Sequence, residues 1–145
     1  MQAVSGGDPR QLFDRVPFMK LLGMQRTHSA AGQAQLVLPA RADLGNVIGA
    51  VHGGAIATLL DVAMASAAVS ARDFQCTAVT LSMDTAFIAP GVGRLTADAQ
   101  LLGQADGVAW CSAEVSDDAG LTVARAQGSF RYLPLPLPQR IVEPT

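Results

Sequence analysis

Charge and cysteine are scarce in this chain. Only 15% of its 145 residues are charged, the net charge is -2 at pH 7, and Lys20 is the single lysine. That leaves no broad basic footprint for the phosphates of a duplex, so nucleic acid is not an expected partner. The two cysteines, Cys76 and Cys111, lack CxxC or Cys/His ligand spacing. No other cluster of His, Cys or carboxylates has metal-ligand spacing, and no GxGxxG or Walker-type loop follows a candidate strand. Neither a metal nor a nucleotide cofactor is therefore expected. Uninterrupted apolar runs stop short of the roughly 20 residues of a membrane span. The N-terminus has no basic segment leading into an apolar stretch. A soluble, cytoplasmic protein with no membrane partner is the expectation.

Half of the residues are apolar, and 145 residues suit one domain with a real core. One domain over 1–145 is expected, with 1–8 flexible and 133–145 an extended tail in which Leu and Pro alternate. The apolar spacing from Pro9 to Leu22 predicts a short docked helix ending at Gly23. Met24–Ser29 and Gln33–Pro39 then read as a strand hairpin. From Val51 to Arg72 the chain is rich in alanine and leucine and free of proline. Ile56, Leu59, Leu60, Ala63 and Ala67 fall on one helical stripe, and the small residues around them predict a helix enclosed on most sides. Beyond Thr77 the texture changes to period two, with turn signals at Pro90-Gly91, Asp106-Gly107 and Asp117–Gly120. These predict four long strands in an antiparallel meander, and the whole is an α+β arrangement of one long helix wrapped by a sheet.

Chemistry concentrates on that helix. His52-Gly53-Gly54 stands at its start, where backbone N–H groups have no intrahelical partner and the helix dipole adds positive charge. Glycine lets a ligand oxygen come close to those N–H groups, which suits the oxyanion of an acyl transfer. Asp61 lies mid-helix among apolar residues, where an unpaired carboxylate is costly. It is eight residues beyond Gly53, or ~12 Å along the axis at ~1.5 Å per residue. A reacting group must lie within about 3–3.5 Å of its target. One chain cannot present both groups to one carbonyl from this helix, so joint action implies a two-fold dimer.

The run from Asn46 through His52-Gly53-Gly54 to Asp61, followed by the strand Val79–Phe87 and Pro90, resembles the PaaI-like branch of the hotdog-fold thioesterases. The likeness extends from about Phe18 to Tyr132. It implies a hotdog fold and hydrolysis of an acyl- or aroyl-CoA thioester, with coenzyme A part of the substrate and no cofactor. It also implies a homodimer, commonly paired into a tetramer. By the same resemblance Gly53 donates its N–H to the thioester carbonyl, and Asp61 is nucleophile or general base. Asn46 and His52 hold the thioester and its leaving sulfur. A strand hydroxyl that positions water falls on Thr80, where relatives often carry serine. A module that binds acyl-CoA without hydrolysing it is the alternative. A hydratase on this fold would need a second His and carboxylate pair, which the sequence does not show.

Overall fold

The structure is a computed structural model that describes residues 13–135. A short helix, α1 (Pro17–Leu22), precedes the hairpin β1 (Gln25–Ala30) and β2 (Gln33–Leu38). A 3-10 turn at Ala42–Leu44 leads to the long helix α2 (Gly53–Ser70). Four strands follow: β3 (Cys76–Phe87), β4 (Leu95–Ala105), β5 (Val108–Asp117) and β6 (Thr122–Pro134). All pair antiparallel in one sheet of order β1-β2-β4-β5-β6-β3. The sheet packs on α2 with all six strands, the hotdog arrangement that the resemblance implies.

Small residues on both surfaces make that wrap possible. The inner faces of β4, β5 and β6 carry the buried alanines Ala97, Ala99, Ala109, Ala113, Ala124 and Ala126, and α2 answers with buried Ala63, Ala67 and Ala68. Helix and sheet approach closely, and Leu36, Leu59, Leu60, Met64, Val115 and Phe130 fill the remaining space without exposure to solvent. All five residues of the sequence-derived stripe are buried. By length and a mean hydropathy of 1.5 this helix could cross a membrane, yet 61% of it is buried inside the fold. It is the core helix that its pattern predicts.

Three expectations change. The predicted meander holds only for β4, β5 and β6, because β3 pairs with β6 and lies at the far edge. Residues 88–94 carry the chain across: seven residues reach ~23 Å when extended, more than three strand spacings of ~4.8 Å. The Val51 N–H bonds Gly91 O at 2.8 Å, tying that crossing to the start of α2. The helix predicted from Pro9 is interrupted at Val16, which adopts extended backbone before Pro17, as residues preceding proline tend to do. Leu133 and Pro134 finish β6 as strand residues, opposite Thr77 and Cys76 and beyond the end of β5, so the proline breaks no ladder on that side. The expectations for residues 1–12 and 136–145 lie outside the described residues.

An irregularity in β3 matters for the site. Met83 packs on the core, Thr85 has a buried hydroxyl, and Phe87 lies against Gly53, so odd-numbered positions face α2 at this end. The register with β6 shifts between Thr80 and Ser82. Leu81 is the extra residue of a bulge, and beyond it the parity changes, turning Ala78 and Thr80 toward the helix. Bulges re-aim side chains in this way beside functional sites.

Candidate active site

The loop before α2 is built around Asn46. Its carboxamide Oδ1 accepts the N–H groups of Ile48 at 3.1 Å and Ala50 at 3.0 Å, and its own N–H bonds Ala50 O at 2.7 Å. Gly49 takes a φ of 78° within this turn, which glycine tolerates. Asn46 thus shapes the approach to the helix, and its Nδ2 makes no hydrogen bond among the described residues. That amide remains available as a donor beside Gly53, with which Asn46 lines one cavity.

His52 is the N-cap of α2. Its Nδ1 accepts the Gly54 N–H at 2.8 Å, which assigns the ring proton to Nε2 when the imidazole is neutral. The N–H groups of Ala55 and Ile56 bond His52 O, the His52 N–H bonds Leu44 O, and the Val51 N–H bonds Gly91 O. From Val51 to Ile56, Gly53 alone keeps an N–H without a partner among the described residues. The helix start therefore offers one free donor in the positive end of the dipole, at the position where the sequence motif puts it.

That donor opens on an apolar cavity of about 360 Å³ lined by Asn46, Ile48, Gly53, Ile56, Phe87 and Ile88. A second cavity of about 230 Å³ lies on the other side of the helix start, between Phe18, Leu22, Leu44, His52, Gly54 and Thr58. The structure does not bring His52 and Gly53 to one cavity within a chain. It does bring Asp61 and Thr80 together: Thr80 Oγ1 donates to Asp61 Oδ1 at 2.6 Å, and the carboxylate is half-buried at the edge of the sheet. Asp61 lines neither cavity around the helix start. One chain holds the two groups apart, a free donor with Asn46 and a carboxylate with Thr80.

A larger cavity, about 840 Å³, is elsewhere. It runs over the outer face of the sheet between Gln35, Asp98, Gln100, Glu114, Arg125 and Gln127. There Glu114 accepts from Thr122 and pairs with Arg125 at 3.0 Å, and these contacts hold its carboxyl below the usual range. Arg125 is thus engaged on the outer face. No group of three or more His, Cys, Asp or Glu side chains among the described residues could hold a metal ion.

Residues 10–131 match the family described as a domain of unknown function, DUF4442. A Halobacterium salinarum protein named Putative esterase VNG_1336C is 32% identical over 124 residues, 78% of this chain and 82% of that protein. The conserved protein PA5202 of Pseudomonas aeruginosa superposes with a TM-score of 0.80 at 30% identity, over 85% of this chain and 98% of that one. The Escherichia coli PaaI protein, from a phenylacetic acid degradation operon, gives a TM-score of 0.79 at 25% identity, over 87% and 91% of the two chains. The chain belongs to the PaaI-like hotdog thioesterase family.

Within this hotdog chain, two features escaped the sequence. Phe87 sits beside Gly53, where an added Cβ would lie 3.4 Å from its ring. Only a period-two strand hinted at its facing, and nothing at its contact. The Leu81 bulge leaves no mark on the alternation of polar and apolar residues around it.

Proposed function

We propose that the protein hydrolyses an acyl- or aroyl-CoA thioester, with each active site assembled from two copies of the chain. The free Gly53 N–H at the start of α2 is the observation that carries this reading. Such an N–H donates a hydrogen bond to the charge that develops on a thioester oxygen, the term that usually weighs most in acyl transfer. Asp61 of the other copy takes a proton from water, which attacks the carbonyl carbon, or attacks that carbon itself to give a mixed anhydride that water then hydrolyses to free the acid and the carboxylate. The tetrahedral oxyanion bonds the Gly53 N–H, and its collapse breaks the C–S bond. The CoA thiolate leaves and is protonated, and the acid is released. No cofactor enters.

The fold supports the pairing of copies. β3 is a 12-residue edge strand, with Val79 and Leu81 about half exposed, and such an edge is a template for a further strand. If two β3 strands pair antiparallel about Met83 and Asp84, Thr80 with its Asp61 comes beside Phe87 and Gly53 of the other copy. The offset of ~12 Å within one chain then closes to about one strand spacing between chains. Purified protein offered a panel of acyl-CoAs with a thiol reagent tests the reading. CoA release that disappears in Asp61→Asn supports it, and binding without release in the wild type points to a module that only binds acyl-CoA.

A further inference from the structure

We infer that Phe87 is the specificity-determining residue of this site and that it selects acyl groups without a branch at a tetrahedral carbon next to the carbonyl. The inference rests on the thioesterase reading above.

The cavity at the free Gly53 N–H is walled by Ile48, Ile56, Phe87 and Ile88, and Asn46 is its one polar side chain. Among the described residues no charged one lines it. A pantetheine arm carries amides and the nucleotide carries phosphates, and both need polar partners. Of the substrate, only the acyl group suits such walls. The cavity exceeds the ~150 Å³ that takes a benzene ring in a protein core. It therefore has room for a ring or a short linear chain.

Phe87 controls the entrance to that space. Its Cε1 and Cζ lie 3.4 and 3.6 Å from where a Cβ on Gly53 would stand. A carbonyl oxygen held by the Gly53 N–H thus brings the first acyl carbon over the ring edge. Linear chains and planar aroyl groups pass a flat ring, whereas a second substituent standing out of the plane on a tetrahedral α-carbon meets it. In the single chain Phe87 is 57% exposed, so it contributes little to that chain's core.

The test compares butyryl-CoA with isobutyryl-CoA and pivaloyl-CoA in the wild type, Phe87→Ala and Phe87→Leu. In the wild type, kcat/KM favours the linear substrate. In Phe87→Ala that preference falls at least tenfold, within the range set by one misplaced methyl in an apolar pocket, and Phe87→Leu lies between. Melting curves confirm that the variants fold. An unchanged preference in folded, active Phe87→Ala overturns the role of Phe87 and leaves the thioesterase reading standing. A wild-type protein that releases no CoA from these or aroyl substrates overturns that reading, and the proposal with it.

Discussion

Thr80, on the edge strand β3, donates its hydroxyl to Asp61 Oδ1 across 2.6 Å, and Asp61 stands eight residues past Gly53, whose N–H at the start of α2 has no partner among the described residues. One carboxylate oxygen is thereby oriented, and the other makes no hydrogen bond among the described residues. Thr80→Val keeps the shape and removes the donor. A hydrogen bond to a charged group is worth about 1.5–3 kcal/mol, so turnover should fall roughly ten- to hundredfold, while Thr80→Ser stays near wild type. Steady-state kinetics with one acyl-CoA decide it, and equal turnover in the valine variant removes Thr80 from the mechanism.

Asp61→Asn removes the charge and keeps the outline. Loss of a catalytic base or nucleophile lowers turnover by at least about two orders of magnitude. Substrate binding, read by titration with an acyl-CoA, should persist. Near-wild-type turnover contradicts any catalytic role for Asp61.

Thr85 presents a different case. Its hydroxyl is buried with no partner among the described residues, and an unsatisfied buried polar group costs about 1–3 kcal/mol. Thr85→Val substitutes a methyl of similar size. The melting temperature should rise by about 2–4 °C, the scale of ~1 kcal/mol for a protein near this size. A clear fall in Tm instead means that the hydroxyl gains a partner when copies of the chain assemble.

Cys111 makes the fold sensitive to alkali. Burial pushes its thiol up from an ordinary value of 9.0 to about 12, and burial likewise raises Cys76, with Arg72 opposing. The folded state then holds a proton that the unfolded state releases. The stabilisation is complete below pH 9 and is lost as pH rises toward 12, at up to ~1.4 kcal/mol per pH unit. Denaturant midpoints between pH 8 and 11 should fall less steeply in Cys111→Ala. An identical slope in the two proteins contradicts this origin. The native thiols should also resist alkylation at pH 8, because the thiolate is the nucleophile.

The central helix and the cap at its start were legible because both are local. The stripe from Ile56 to Ala67 fixes the buried face, and His52-Gly53-Gly54 marks the start of the helix by its missing Cβ atoms and cap. The crossing of β3 to the far edge was not legible, since the turn signal at Pro90-Gly91 is the same for a hairpin and for a chain passing under a helix. The pairing with β6 is decided by a sheet curling around α2, a property of the whole core. The contact of Thr80 with Asp61 depends on the Leu81 bulge, and the alternation Val79-Thr80-Leu81-Ser82 looks regular. Asn46 shows the limit from the other side: its motif position was readable, yet its Oδ1 is spent on the loop.

The assembled site is tested most directly by mixing two inactive variants. Gly53→Val crowds the oxyanion donor, whose loss alone is worth about 10²–10³ in rate, and Asp61→Asn removes the carboxylate. Melting curves first establish that both variants are folded. After subunit exchange, a heterodimer holds one site with both lesions and one with neither. If Asp61 of one copy works with Gly53 of the other, activity returns to about a quarter of the wild-type value at random pairing. If exchange is complete and no activity returns, the site does not span two chains.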